Sequence, residues 1–361
     1  MKNSTTAVLA NTQLSAPAIG VPETRASGSR AFGNRPAWLA TAVVLLFLIS
    51  LASLAVGARA LSFETVVAAL TRFDPSNGDH AVVIARIPRT VLGLLAGAAL
   101  GLSGAAMQGV ARNPLADPGI MGVNAGAAIA VVSGIYLFGI TALNGYIWFA
   151  FIGAAVAATV VYLVASIGQD GPTPVKLALA GAALSAGLYS LMNVILVSSQ
   201  DTLDRFRFWQ VGSVAGRDWA VILPAVPFLI LGAVILLCTG RILNSLALGD
   251  DVSRGLGQRV GLVRGVAALG VVLLCGGATA IAGPIGFVGL VIPHAVRSVT
   301  GPDYRWILPF SMVLAPVLLV GADIIGRVVL LPAEVPAGIL TAIIGAPVFV
   351  ALVRRSKGTG L

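Results

Sequence analysis

Few side chains in this chain could do chemistry, and most of those lie inside or beside long apolar runs. Asp323 and Arg327 stand one helical turn apart in such a run. A pair of this kind either serves ion-coupled transport or closes an ion pair near the outer end of a membrane helix. A proton-coupled carrier uses more buried acids than this segment supplies. Gly101-Leu102-Ser103-Gly104 matches the short Gly-x-Ser-Gly nucleophile pattern of intramembrane proteases, whose chemistry needs a base facing the serine. His80 falls outside the apolar segments and His294 follows Pro293 near a helix end, so neither is well placed for that role. Cys238 and Cys275 lack the spacing of zinc ligands or a disulfide framework and read as small core residues. No metal site is expected. A Gly-x-x-x-x-Gly-Lys-Ser/Thr phosphate loop is absent, so the chain cannot be its own ATPase, and no catalytic residue is expected.

Three polar interruptions are better candidates for contact with other molecules. Arg86-Ile87-Pro88-Arg89 opens an apolar segment, with both arginines on one face. They either anchor the interface or dock a partner, and outward arginines run against the positive-inside tendency. At the far end of the same segment, Arg112-Asn113-Pro114-Leu115-Ala116-Asp117-Pro118 forces a non-helical turn, a plain loop or the lining of a water-filled route. The longest interruption, 246–257, repeats Leu248, Val252 and Leu256 every four residues, with Asp250 and Asp251 suited to a helix N-terminus. It reads as a short docking helix for a soluble partner or as a helix lying on the membrane.

The elements that must position these groups are membrane helices. Of 361 residues, 57% are hydrophobic and 10% charged, with a mean hydropathy of +0.96, which excludes an ordinary soluble domain. Apolar windows fall near 38–58, 90–110, 119–139, 147–168, 177–199, 220–240, 265–283, 286–299, 307–328 and 336–353, predicting an all-α membrane protein with about ten spans. Residues 1–36, rich in Ser, Thr, Ala and Pro, read as a disordered tail and 356–361 as a second tail, leaving 37–355 as one membrane domain. With both termini in the cytoplasm, 15 of the 23 basic residues fall inside, as the positive-inside rule requires. The basic residues form no stripe with interleaved aromatics, so the pI of about 10.4 does not point to nucleic acid. Gly93, Gly97 and Gly101 form a stripe for close helix packing. Pro118-Gly119-Ile120-Met121-Gly122-Val123 parallels Pro284-Ile285-Gly286-Phe287-Val288-Gly289-Leu290 on the opposite membrane side, which fits two inverted halves.

Taken in order, these segments resemble the FecCD permeases of bacterial ABC importers for iron siderophores, haem and vitamin B12. The likeness covers nearly all of 38–355. It rests on the motifs above together with Phe208-Trp209-Gln210-Val211-Gly212-Ser213, Ala247-Leu248-Gly249-Asp250, Pro293-His294 and Gly345-Ala346-Pro347. The resemblance implies two permease subunits, two ATPase subunits that bind the ATP and Mg, and an extracytoplasmic binding protein. It assigns Arg86, Arg89 and Arg327 to docking of that protein, and Asn113, Pro114 and Leu115 to a cytoplasmic gate. It assigns a coupling loop at about 246–262, with Leu248, Asp250, Asp251, Val252, Arg254 and Leu256 meeting the ATPase, and Trp209, Gln210 and Ser213 to the translocation cavity. Asp204–Gln210, Arg241–Leu246 and Asp323–Val328 look most like ferric enterobactin permeases, which implies a catecholate siderophore and a heterodimer with a second permease. A homodimer, or haem or cobalamin as cargo, stays within the same family likeness.

Overall fold

A computed structural model describes residues 34–168 and 171–357. Most of the 1–36 tail and the last four residues of the 356–361 tail lie outside the described residues. Within them each of the ten apolar windows coincides with helix. Six helices are long and apolar enough to cross a membrane, or seven if a pair bent by 52° counts as one span.

The helices are α1 (Arg35–Ala55), α2 (Phe63–Thr71), α3 (Gly78–Val110), α4 (Val123–Phe138), α5 (Leu143–Ala165), α6 (Pro174–Ser198), α7 (Gln200–Gln210) and α8 (Trp219–Ile222). They continue as α9 (Val226–Cys238), α10 (Gly240–Ala247), α11 (Asp250–Gly255), α12 (Val260–Val271), α13 (Gly277–Ala282), α14 (Val288–Thr300), α15 (Tyr304–Val329) and α16 (Ala337–Lys357). The bent pair is α9 and α10. A π turn, Val272–Gly276, joins α12 to α13.

The starts follow local chemistry. Asn77 Oδ1 accepts from the Asp79 amide at the head of α3, and the Thr173 and Ser199 hydroxyls accept from the Lys176 and Thr202 amides at the heads of α6 and α7. Each satisfies an amide that the first helical turn leaves unpaired. The 33 residues of α3 make it about 50 Å long at 1.5 Å per residue. Pro88 therefore sits in its third turn and not at the opening of the span.

α3 is the central helix, buried along its second half. Its glycine stripe works as expected: a Cβ at Gly97 would lie 2.5 Å from Pro316 Cα, and one at Gly93 would lie 2.9 Å from Val320. Gly101 abuts Ser311 and Ala315 on the same helix, α15, while Gly104 abuts Gly289 of α14. Ser103 is enclosed in this contact and donates to the Leu100 carbonyl, so it offers no open nucleophile. His80 is likewise committed, its Nδ1 accepting from the Asp74 amide. Cys275 is buried as expected, but Cys238 is exposed on the outer face of α9.

The two parallel motifs form matching breaks. After α3 comes a single 3-10 turn, Pro118–Met121, then Gly122 at φ +72° heading α4. After α13 comes an extended stretch, then Phe287 at φ +67° heading α14. The breaks lie at opposite ends of the bundle. The first adjoins Arg112 and the 246–257 loop, called here the lower end, and the second adjoins Trp209, Gly212 and Gly338, called the upper end. α1 begins and α16 finishes at the lower end.

Replacing Gly97 by Leu forces α3 away from the Pro316 backbone. The expected outcome is loss of monodisperse protein on size-exclusion chromatography in detergent. Gly187→Ala, where an added methyl meets nothing within 4 Å, keeps the elution profile and holds or raises the melting temperature.

Candidate functional site

At the upper end, the expected docking arginines turn inward. Asp323 accepts from both flanking cations: Arg89 Nε and Nη2 approach its oxygens at 2.8–3.2 Å, and Arg327 Nε at 3.0 Å. Arg327 Nη2 also donates to Asp323 and, at 3.0 Å, to the Ser53 hydroxyl, while its Nη1 donates to the carbonyls of Ser53 and Val56. Arg86 donates to the carbonyls of Leu54, Ala55 and Arg59. The end of α1 leaves carbonyls that no further helical turn can satisfy, and two guanidinium groups cap them.

Arg327 is 2% exposed, so in this conformation it offers no surface to an external protein. This corrects the expectation of direct docking at that residue. Its fork is consumed by α1 and Asp323. Asp323 in turn is held by two cations, which removes the free carboxylate that an ion-coupled carrier would need. Arg89 alone also reaches outward, to Glu334 Oε2 at 2.7 Å in the loop between α15 and α16. Ser53 and Glu334 carry no isolated sequence signal, because only the fold brings them to these arginines.

The 208–213 segment ends α7 at the meeting point of three motifs. Gly212, at φ +71°, faces the Pro284 carbonyl, and its own carbonyl accepts from the Gly338 amide at 3.1 Å. The Ser213 amide donates to the Ala282 carbonyl at 2.7 Å. A recess of about 400 Å³ opens here, lined by Tyr146, Arg205, Phe208, Trp209, Ser213 and Arg217 among others. Trp209 is buried in its wall, Ser213 is half-buried, and Gln210 is exposed and not part of the lining. Burial lowers the Arg217 pKa from its ordinary value, because a desolvated cation is less favourable. Among the described residues no carboxylate pairs with it. Arg217 and Tyr146 escaped the sequence reading because neither belongs to the 208–213 motif.

At the lower end, Arg112 lies two residues past the end of α3 and the turn 113–117 follows. The Leu115 amide donates to Asn113 Oδ1 and the Gly119 amide to Asp117 Oδ1, so two Asx turns hold this loop. Asn113 and Leu115 are exposed and Pro114 half-buried. Beside them Val252 of α11 and the flanking Leu248 and Leu256, which end α10 and α11, are all about half exposed or more. Gly249 at φ +112° separates Leu248 from α11, so the single helix expected over 246–257 is broken in two. Arg254 pairs with the almost wholly exposed Asp251 at 3.1 Å. Asp250 departs from the expected docking group. It points inward to Arg112 at 3.0 Å and Arg264 at 2.8 Å. No group of three or more metal-binding side chains occurs among the described residues.

A long helical bundle with interrupted spans, capped arginines above and a short amphipathic helix below defines a membrane permease. Comparison with known proteins agrees: the FecCD transport family matches residues 44–355, and the chain belongs to that family. The ferric enterobactin transport permease FepD of Escherichia coli (strain K12) is 45% identical over 88% of this chain and 95% of its own length. The probable siderophore transport permease YfiZ of Bacillus subtilis (strain 168) is 43% identical over 88% and 96%. A solved inward-facing metal-chelate-type ABC transporter superposes with TM-score 0.78 at 32% identity, covering 89% of this chain and 99% of that one. This chain is therefore an ABC importer permease, a multi-pass inner-membrane transport subunit and not an enzyme.

Asp323→Ala leaves Arg89 and Arg327 facing each other without their shared counter-ion. The expected loss is about 3–5 kcal/mol, the cost of orphaning one member of a buried pair. Glu334→Gln, on the exposed rim, costs about 0–1 kcal/mol. Thermal unfolding of the two variants in detergent checks the ranking.

Proposed function

We propose that this permease carries ferric siderophores of the catecholate class, pairing with a second, related permease to enclose the route. The upper recess supports that reading. Arg217, and Arg205 in its ion pair with Asp201 at 2.8 Å, lie beside Tyr146, Phe208 and Trp209, and ferric catecholates are anionic and ring-rich, suited to charge attraction and to stacking on aromatic and guanidinium faces. Arg217 in particular is a half-buried cation with no carboxylate partner among the described residues, open to an anion. The relatives named above include two siderophore permeases; a hemin permease of Yersinia pestis is also similar, at 35% identity, which keeps haem as the second reading.

The working cycle needs partners of this chain. An extracytoplasmic binding protein delivers cargo to the upper end, where Arg89 is the arginine with an outward reach and Arg86 lies half-buried beside it. Two ATPase subunits, which hold the ATP and Mg, dock on the exposed Leu248, Val252 and Leu256. ATP binding favours one arrangement of the two permeases and hydrolysis releases it, so the bias comes from differential affinity for two states. Asn113, Pro114 and Leu115 sit where the lower end of the route must open. The lower end is then cytoplasmic, as the surplus of basic residues there requires.

Uptake of labelled iron supplied by a panel of catecholate, hydroxamate and citrate chelators, haem and cobalamin tests the cargo. Catecholate uptake is expected to exceed the rest and to fall about tenfold or more in Arg217→Ala, the loss of one desolvated charge contact. Transport confined to haem or cobalamin, or indifference to Arg217, overturns the assignment. Separately, Val252→Asp is expected to abolish copurification of the ATPase subunits with the intact permease.

A further inference from the structure

Asp250 and Asp251 are adjacent at the head of α11, yet they face opposite ways. The side chain of Asp251 is 98% exposed and that of Asp250 only 19%. Asp250 Oδ1 receives two guanidinium groups at once, Arg112 Nη2 at 3.0 Å and Arg264 Nη2 at 2.8 Å. Arg112 lies two residues past the end of α3 and immediately precedes Asn113, Pro114 and Leu115. Arg264 lies in the first turns of α12, 2% exposed, and its Nη1 also donates to the Pro172 carbonyl at 3.0 Å. One carboxylate thus ties the short amphipathic helix to the turn at the base of α3 and to the base of α12.

A second observation marks Arg112. Its φ is +48°, one of two non-glycine residues with positive φ among the described residues. Glycine or asparagine adopts that left-handed terminal position at lower cost, and an L side chain there is disfavoured by about 1–2 kcal/mol. The backbone strain is retained where the side chain makes an ion pair. Gly249 turns the chain from α10 into α11 at φ +112°, a backbone conformation that L side chains rarely adopt.

The helix that carries Asp250 is itself fastened to the bundle. The buried Ser253 hydroxyl bonds the carbonyls of Ser245 and Gly249, locking α11 to α10. Asn244 of α10 donates to Asp303 at 2.6 Å and accepts from the Tyr304 amide at 2.7 Å, locking α10 to the foot of α15. Displacement of the exposed apolar face of α11 therefore moves a braced lever, and the Asp250 carboxylate is its charged link to the end of α3.

We infer that Asp250 is a positioning residue that clips the ATPase-docking helix to the 113–115 turn through Arg112, so that motion imposed on α11 opens and closes the lower end of the route. The inference rests on the transport reading above and assigns Asp250 a role distinct from touching the ATPase. Asp250 senses the position of α11, and Arg112 hands it to the turn.

The test uses the assembled importer in liposomes, with a Leu115→Cys reporter in a Cys238→Ser background and a membrane-impermeant thiol reagent applied from the lower side. Labelling is compared without nucleotide and with ATP and vanadate. With Arg112 and Asp250 present, the rate differs between the two states. In Arg112→Ala and in Asp250→Asn the ATPase still copurifies and hydrolyses ATP, but the labelling rates converge and uptake per ATP falls roughly 5- to 150-fold, the usual range of coupling between sites. Arg112→Lys, which keeps the charge, restores part of the difference. Nucleotide-dependent labelling and full uptake in Arg112→Ala overturn the clip, as does a reporter that never responds to nucleotide. Should Asp250→Asn fail to fold, Arg112→Ala decides alone, since Arg112 is the more exposed partner. Failure of any ATPase to copurify with the unsubstituted chain refutes the transport reading instead.

Discussion

The close approach of α3 to α15 and α14 is the contact on which the rest of the molecule depends. Inside a bilayer there is no hydrophobic gain in bringing helices together, so association rests on packing and internal polar bonds. Gly93, Gly97, Gly101 and Gly104 let the backbone of α3 meet Val320, Pro316, Ser311 and Gly289 directly. Gln108 adds a bond from α3 to the Leu290 carbonyl at 3.1 Å. Because α3 is continuous over 33 residues, both ends of the molecule are referenced to one element.

That helix explains why charge collects at its two ends. Above, Arg86 and Arg89 leave α3 for the end of α1 and for Asp323 on α15, and Arg327 closes the same cluster from the other side. Every charge carried that deep is paired or spent on carbonyls, as an apolar medium demands. Below, just past the end of α3, Arg112 reaches Asp250. The upper cluster is locked among buried partners, whereas the lower pair is only partly enclosed. The first suits a fixed frame and the second suits a joint.

Between these ends lie the breaks, and they are where the helical ladder is interrupted to make surfaces. Gly122 and Phe287 each adopt a left-handed conformation before a short helix. Such irregular backbone is stable at depth only when protein or a water-filled path covers it. The upper break is covered by Gly212 and Gly338, and beside it opens the recess lined by Arg205, Arg217 and Trp209. The segments that interrupt the spans thus also furnish the candidate path.

Membrane residence, the helical windows and the glycine stripe were legible in the order of residues alone, because hydropathy and helical period are local properties. The single helix read from the spacing of Leu248, Val252 and Leu256 was not, because Gly249 at φ +112° splits that segment between α10 and α11. The ordered motifs also made the family recognisable. The destinations of most charged side chains were not legible. The family resemblance put Arg86, Arg89 and Arg327 together as outward contacts, while the spacing of Asp323 and Arg327 allowed the ion pair that forms; the fold buries Arg327 against Ser53 and Asp323 and turns Arg86 onto α1. Two neighbouring aspartates looked alike, yet one faces solvent and the other bridges Arg112 and Arg264. Arg217 joined the recess, and Glu334 joined Arg89, across 71 and 245 positions respectively from Tyr146 and Arg89. Local pattern determines which segments enter the membrane; the pairing of long polar side chains depends on which helix ends meet, and only tertiary structure decides that.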